Sequence, residues 1–377
     1  MTSPDVPLYE AWLREALSQS ELAAGVSSPN PPVGAVVVRD GQIVGRGHTQ
    51  QAGGAHAEVM ALRDAGDRAS GSVLVCTLEP CAHTGRTGPC ADAIIDAGIS
   101  TVVYAAPDPT DQATGGHQRL AGAGLTVTAG VLREEVERGV LRSWLFTQRA
   151  GRPYVIWKVA QSLDGQIAAA DGSSQWITGS ESREAVHRLR EQVDAILVGA
   201  GTVRADNPAL TARDADGALR GRQPLRVVLS SSGRLPGGSK VLDGQVATLI
   251  ALGPGADRQA IEQIERHDVR IWRSPGARHE SVNLDALLTE LGANGVLSVL
   301  LEGGPTVAGT FAAAGLIDEV QAYIAPKLLV SGMWPALRGY GISSIGDALG
   351  LQITDVQRSG EDVLVTAVRR DVQPERK

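Results

Sequence analysis

Four residues with zinc-site chemistry lie close together in the chain: His56, Glu58, Cys81 and Cys90. Imidazole and thiolate are donors that zinc prefers, and a catalytic zinc uses three protein ligands and keeps a fourth position open. His56, Cys81 and Cys90 supply such a set. The open position takes water, whose pKa the metal lowers toward ~7, giving hydroxide at neutral pH. Glu58 falls on the same helical turn as His56, where it can accept the water proton and pass it to a leaving ammonia. Cys81 follows a strand end and Cys90 opens a helix, whose N-terminus favours thiolate. Cys76 sits in an apolar strand and reads as a buried core thiol. A purely structural zinc would need a fourth protein ligand, for which His83 is the candidate.

The elements that must hold these groups can be traced from periodicity and turn signals. An amphipathic segment runs from Leu8 to Ala24 and is broken by Ser27-Ser28-Pro29-Asn30-Pro31-Pro32. Val33–Val38 reads as a buried strand, Asp40-Gly41 as a hairpin turn, and Gln42–Gly47 as the returning strand. Helices are expected at His56–Ala65, Cys90–Ala97, Gly116–Ala123 and Leu132–Leu145. Strands are expected at Ser72–Leu78, Ser100–Ala105 and Leu125–Thr128. This order predicts a three-layer α/β domain. The polar stretch Gln148–Pro153 marks a boundary, giving domains at 1–148 and 149–377.

The second half restarts the alternation. Strands are expected at Tyr154–Ala160, Ala195–Val198, Leu225–Leu229, Val246–Ala251, Val269–Trp272, Leu297–Leu301, Glu319–Ile324 and Val363–Val368. Helices are expected at Glu181–Gln192, Asp257–Arg266, Leu284–Leu291 and Pro305–Ala314. Two strand ends carry glycines, at Val198-Gly199-Ala200-Gly201-Thr202 and Leu301-Glu302-Gly303-Gly304-Pro305-Thr306. Such glycines let backbone N–H groups approach a pyrophosphate at a helix N-terminus. Neither completes G-x-G-x-x-G, so neither alone specifies a nicotinamide cofactor.

The 377 residues are enough for two domains with their own cores. A net charge of −7 argues against general nucleic-acid or anionic-membrane binding, while a few local arginines suffice for a phosphorylated small substrate. No apolar run is long enough to cross a bilayer, and Met1–Glu10 lacks a signal-peptide pattern. Three cysteines is an odd number for a disulfide framework. These features together point to a cytoplasmic protein.

Zinc deaminases share His-x-Glu followed by Pro-Cys-x-x-Cys. Here the two cysteines are separated by the eight residues Ala82–Pro89. Asn30-Pro31-Pro32-Val33-Gly34, His56-Ala57-Glu58-Val59 and the stretch Thr77–Cys90 with this longer loop resemble the bifunctional riboflavin biosynthesis deaminase–reductases. The second half supports the resemblance. Lys158–Gly165, Gln175-Trp176-Ile177-Thr178, Gly201–Pro208 and Glu302-Gly303-Gly304-Pro305 appear in that family's order.

The resemblance implies a cytidine-deaminase-like first domain with one Zn2+ and a dihydrofolate-reductase-like second domain that uses NADPH. The implied deaminase substrate is 2,5-diamino-6-ribosylamino-4(3H)-pyrimidinone 5′-phosphate, whose ribosyl group is then reduced to ribityl. Cofactor contacts would fall on Ala160, Trp176, Thr202, Asp206, Ser231 and the run Gly304, Pro305, Thr306, Val307, Ala308, Gly309 and Thr310. Substrate contacts in the reductase would fall on Ser174, Arg190, Leu210, Arg213 and Glu302. In the deaminase, Arg86 can pair with phosphate or a ring carbonyl, His83 can donate to the same group, and Asn30 can read a pyrimidine edge.

The plainer readings stay open at this point. Arg86 and His83 can be solvated loop residues, Asn30 a turn residue, and Arg188 and Arg190 a charged helix face. Glu302 can instead favour the helix that follows it, and either Lys158 or Asp164 can assist proton delivery. Two positions depart from the family pattern: Thr49, with His48 one place earlier, and Thr110 in Asp108-Pro109-Thr110-Asp111. The family's reductase half commonly carries homo-oligomer contacts. The alternatives are a deaminase of another nucleobase with an unrelated reductase domain, against which the long cysteine loop counts, and a non-catalytic module keeping a structural zinc, against which Glu58 counts.

Overall fold

The computed structural model describes residues 6–83, 88–110, 115–279, 281–339 and 341–370. The chain divides into two compact units, Met1–Gly151 and Arg152–Lys377.

In the first unit, α1 (Val6–Ala23) leads into β1 (Gly34–Arg39) and β2 (Gln42–His48). Asp40 and Gly41 both take positive φ, 51° and 76°, which the two-residue hairpin turn requires. Then follow α2 (Ala57–Ala65), β3 (Val73–Leu78), α3 (Cys90–Asp96), β4 (Thr101–Ala106), α4 (Gly116–Gly122), β5 (Thr126–Ala129), α5 (Arg133–Arg138) and α6 (Arg142–Ala150). The sheet order is β2-β1-β3-β4-β5, with β1 antiparallel to both neighbours and β3, β4 and β5 parallel.

Missing side chains let two helices reach the sheet. A Cβ on Gly34 would lie 1.9 Å from the Ala16 carbonyl oxygen in α1, and one on Gly47 would lie 2.3 Å from the Ala57 carbonyl oxygen in α2. Gly47 pairs with Ala35 rather than Gly34, so the two contacts fall on opposite faces of the sheet. The three-layer arrangement follows from that alternation.

The expected helix Leu132–Leu145 is instead two helices. Gly139 ends α5 with ψ −126°, outside helical space, and α6 runs on past Leu145 to Ala150. The periodic pattern spans both helices, but the backbone turns between them.

The second unit contains β6 (Tyr154–Ser162), α7 (Ser180–Gln192), β7 (Ala195–Gly199), α8 (Ala200–Asp206), β8 (Leu225–Ser230), β9 (Thr248–Leu252), α9 (Arg258–Ile264) and β10 (Arg270–Arg273). It continues with α10 (Leu284–Ala293), β11 (Ser298–Leu301), α11 (Pro305–Ala313), β12 (Glu319–Ala325), β13 (Leu351–Ser359) and β14 (Asp362–Arg369). One nine-stranded sheet has the order β10-β9-β8-β7-β11-β6-β12-β14-β13. It is parallel from β10 to β12 and antiparallel at β14 and β13. Leu197, Val227, Val299 and Leu301 of the sheet pack with Leu287, Leu288 and Phe311 of α10 and α11. Each such buried side chain contributes roughly 1.5–3 kcal/mol.

Two elements lie beyond the expectation. Helix α8 starts directly at the glycine-bearing end of β7, which read only as a strand end. Strand β13 is exposed along nearly its whole length, and a register shift between Ile353 and Asp355 breaks its period of two.

Candidate active sites

In the first unit, His56 is the N-cap of α2, Cys81 follows β3, and Cys90 is the first residue of α3. The His56 Nδ1 lies 3.2 Å from the Cys90 Sγ and 3.7 Å from the Cys81 Sγ. A tetrahedral zinc with Zn–N about 2.0–2.1 Å and Zn–S about 2.3 Å separates such atoms by about 3.6 Å, so the donor set fits zinc. Among the described residues, these three form the His/Cys/Asp/Glu group able to hold a metal ion, with ligand atoms within 4.8 Å of one another. His83 is not part of it, which removes the fourth ligand that a structural zinc would need. Cys76 is fully buried and donates to the Leu78 carbonyl, as a core thiol.

Local structure presets the thiols. The Cys90 N–H donates to the Cys81 Sγ at 3.4 Å, and the Ala91 N–H donates to the Cys81 carbonyl at 3.1 Å. Hydrogen bonds from Cys90 and then His56 hold the Cys81 thiol far down, at about 4, against the effect of burial. Glu58 is 4% exposed. Burial pushes its carboxyl up to about 7, with His56 pulling the other way. A carboxyl titrating near neutrality can both take and return a proton.

His56, Glu58 and Cys81 open on a cleft of about 450 Å³ whose wall also includes Asn30, Thr49, Glu79, His83, Asp108, Thr110, Trp144 and Gln148. Asn30 and His83 are thus brought to the site, and the His83 Nδ1 is a buried atom with no hydrogen-bond partner. Arg86 lies outside the described residues. The two departures from the family pattern both reach the wall. Thr49 is buried, and its Oγ1 accepts from the Val33 N–H at 3.2 Å, tying β2 to the entry of β1. The Thr110 hydroxyl donates to Asp108 at 2.6 Å. Sequence reasoning missed Glu79, Trp144 and Gln148. Glu79 accepts from the His117 N–H at 2.9 Å, so it fastens α4 beside the cysteine loop. Its place directly before Pro80-Cys81 was the available signal.

In the second unit, a cavity of about 710 Å³ opens at the carboxyl ends of the central parallel strands, the usual ligand position in such sheets. Its wall includes Ala160, Ser174, Trp176, Arg190, Thr202, Asp206, Leu210, Arg213, Glu302 and Gly304. Ten of the expected contact residues therefore converge there. Arg190 is not a solvated helix residue. It forms a two-point pair with Glu302, Nε and Nη2 donating to the two carboxylate oxygens at 2.7 Å each, with the side chains 17% and 11% exposed. Burial alone would raise the Glu302 carboxyl, but Arg190 outweighs it and holds the group at about 2. Arg188, by contrast, is exposed and pairs with Glu184 one turn back.

The remaining expected positions fall elsewhere. Ser231 is exposed just beyond β8 and is not part of the cavity wall. Pro305, Thr306, Val307, Ala308, Gly309 and Thr310 form the start of α11 behind Gly304. Within that run, Ala308 is fully buried with its N–H donated to the Gly304 carbonyl, and Gly309 packs against the Arg338 carbonyl. A Cβ on Gly199 would lie 2.6 Å from Val307 and one on Gly304 3.1 Å from the Thr202 Oγ1. The ends of β7 and β11 thus form a close backbone cradle beside a helix N-terminus, which fits a pyrophosphate-bearing cofactor. Lys158 is on the wall, and burial lowers its pKa while Glu302 opposes the shift. Asp164 is off the wall and accepts from the Leu329 and Val330 N–H groups, a loop clamp. His187, Arg183 and Thr211 were missed. His187 precedes Arg190 by one helical turn, and that spacing was its signal.

The comparisons with known proteins agree with this geometry. Residues 153–365 match the family described as RibD C-terminal domain, and residues 8–106 match the cytidine and deoxycytidylate deaminase zinc-binding region. The chain is 46% identical over 357 residues to the riboflavin biosynthesis protein RibD of Mycobacterium tuberculosis, covering 94% of this chain and 96% of that one. It is 38% identical over 369 residues to the Escherichia coli protein of the same name, covering 95% and 99%. Among solved structures, Acinetobacter baumannii RibD superposes with a TM-score of 0.84 at 33% identity, covering 97% of this chain and 99% of that one. A diaminohydroxyphosphoribosylaminopyrimidine deaminase/5-amino-6-(5-phosphoribosylamino)uracil reductase from Thermotoga maritima superposes with a TM-score of 0.83 at 32% identity, with the same coverage.

Proposed function

The chain belongs to the RibD family of riboflavin biosynthesis proteins, and we propose from that premise how its own residues carry out the family's two reactions. It is a bifunctional enzyme, a zinc-dependent deaminase and an NADPH-dependent reductase. Relatives match across both halves at once, so a deaminase joined to an unrelated reductase is not favoured.

The deaminase function is assigned to the first unit and the reductase function to the second. The substrate of the first reaction is a diaminopyrimidinone ribosylamine phosphate. Its 2-amino group leaves as ammonia, and the product's ribosyl group is then reduced to ribityl. The wording of the Thermotoga maritima relative supports this pair of substrates.

The observation that carries the deaminase reading is buried Glu58 beside the His56–Cys81–Cys90 set. Zinc bound there supplies hydroxide at neutral pH. Glu58 takes the proton from the attacking water and returns it to the departing amino nitrogen. Asn30 and His83 hold the pyrimidine and Trp144 closes one side. In the reductase, Gly304 and Thr202 receive the cofactor's phosphates and Trp176 covers its ring. Arg213 receives the ribose phosphate, and Arg190 holds Glu302 and the Thr211 carbonyl beside it. The hydride is the cofactor's chemistry, and the chain's task is to orient it.

Two further readings rest on separate observations. Self-association through the second unit is favoured by the free edge of β13, where Ile353 and Val356 are 62% and 58% exposed. A cytoplasmic setting suits free thiols used as metal ligands, and among the described residues no helix is long and apolar enough to cross a membrane.

The deciding assay measures ammonia release and NADPH oxidation with freshly made diaminopyrimidinone and aminouracil phosphates. Both compounds should drive NADPH oxidation, the first only after ammonia appears. Absence of oxidation with either compound removes the reductase assignment.

A further inference from the structure

The segment Leu210–Arg213 carries three cavity residues, Leu210, Thr211 and Arg213, and is held in an unfavourable backbone shape. Leu210 has φ 53° although it is not glycine, and it is 3% exposed. Such a conformation persists only where surrounding contacts over-determine it. The contacts are identifiable. The Gln223 side chain accepts from the Ala212 N–H and donates to the Ala212 carbonyl, both at 2.8 Å. Arg226, fully buried, donates to the Ala209 carbonyl at 3.3 Å. Helix α7 supplies the remaining hold through two residues one turn apart.

The first is Arg190, whose Nη1 donates to the Thr211 carbonyl at 3.1 Å while its other nitrogens grip Glu302. The second is His187. Its Nδ1 lies 3.2 Å from the Arg213 N and 3.2 Å from the Thr211 carbonyl oxygen. The Arg213 N–H can only donate, so in this contact Nδ1 accepts and the ring proton sits on Nε2, whereas a protonated Nδ1 would turn to the Thr211 carbonyl instead. The Thr211 carbonyl is meanwhile satisfied by Arg190. Beyond this point the Arg213 guanidinium is aimed by its own bonds, Nε to the Thr211 Oγ1 at 3.0 Å and Nη1 to the Gly217 carbonyl at 2.6 Å.

We propose that His187 is a positioning residue of the reductase, its unprotonated Nδ1 fixing the Thr211–Arg213 backbone so that Arg213 faces the phosphorylated substrate. The assignment rests on the reading of this cavity as the reductase site. It makes Glu302, Arg190, His187 and Arg213 one connected unit, so that substrate affinity depends on a histidine set behind the arginines. The charged groups around the ring are Arg190 on α7, Arg213 and Arg220 on the following segment, and Glu302 at the end of β11. Burial and then Arg190 lower the imidazole below its ordinary 6.5, with the Thr211 carbonyl and then Glu302 opposing, which favours a neutral ring.

Three variants test the acceptor. H187F fills the space without an acceptor, H187A empties it, and H187N places an amide oxygen near the position of Nδ1. With 5-amino-6-(5-phosphoribosylamino)uracil and NADPH, H187F and H187A should raise the substrate KM about tenfold, the scale of one lost buried partner. Their kcat should change little, and the NADPH dissociation constant, read by fluorescence, should stay put. H187N should restore the substrate KM. The wild type should also lose substrate affinity on acidification as Nδ1 is protonated, a limb missing from H187N. Backbone exchange at the Arg213 amide should quicken in H187F and H187A and be slow in H187N. An unchanged substrate KM in H187F and H187A overturns the proposal, as does a parallel rise for NADPH or a failure of H187N to rescue. If the wild type itself does not oxidise NADPH, the reductase reading fails instead, and the Arg213 exchange rate still decides the His187 contact.

Discussion

Glu58 is buried and Glu302 largely so, one carboxylate in each unit, and their environments push them in opposite directions. Burial raises Glu58 to about 7 because the neighbouring His56 offsets only part of the cost. Glu302 meets the same burial, but the two-point contact with Arg190 brings it to about 2. The first group is left able to carry a proton. The second is locked as an anion and serves as an anchor for an arginine. Burial alone therefore does not define a catalytic acid or base; the partner decides which role a carboxylate takes.

The largest effect should come from breaking the uncompensated side. E58Q should reduce ammonia release by about 10²–10⁴, the usual span for a lost general base. Zinc content, measured by metal analysis, should be retained, since the three ligands are untouched. Substantial ammonia release by this variant would dismiss Glu58 as the proton carrier.

Removing the anchor is the counterpart test. R190L leaves Glu302 buried and unpaired, which costs about 3–5 kcal/mol in stability. Urea unfolding should show a loss of that size in the second unit, together with loss of NADPH oxidation. Deamination by the first unit should survive.

The two carboxylates should also give opposite pH signatures. Glu302 has a folded pKa near 2 against 4.5 for the free group, so its contribution is complete above about 4.5 and is lost as pH falls toward 2. By linkage this amounts to about 3 kcal/mol, and E302Q should flatten the acid limb of the unfolding profile. In zinc-stripped protein, Glu58 runs the other way. It holds a proton in the fold that it would lose when unfolded, so its burial costs stability as pH rises from 4.5 through 7. Stripped E58Q should accordingly melt higher than stripped wild type at pH 8, and a lower melting temperature would contradict this account.

The smallest effect is expected at the sheet edge. A lysine pair at Ile353 and Val356 should shift the oligomeric state seen by light scattering while leaving deamination intact. An unchanged mass would remove β13 from the proposed interface.

The first site was far more legible in the sequence than the second. Its ligands stand on adjacent elements, so the spacing of His56, Glu58, Cys81 and Cys90 already implies one metal site, and the loop Ala82–Pro89 narrows the family. The second site draws on residues from Lys158 to Gly304, brought together only because β11 inserts between β6 and β7. No periodicity reports that insertion. The same limit hid β13, whose bulge and exposure erase the alternation that marks a strand, and the break at Gly139 inside one continuous amphipathic pattern.

Residue types and short spacings determined what chemistry the chain holds: two thiolates and an imidazole for zinc, an adjacent acid, and glycine-bearing strand ends beside helix starts. The tertiary structure alone decided what each charged group does. Arg188 and Arg190 lie two positions apart on one helix, yet one is exposed beside Glu184 and the other is sealed against Glu302. Arg226 sits in an apolar strand and is fully buried, with its donors taken by the Thr248 hydroxyl, distant carbonyls and Asp243. Sequence spacing is a one-dimensional quantity, whereas desolvation and pairing depend on which distant segments close over a side chain. For that reason the identity of the chemistry was visible early, and the protonation state and role of each acid were not.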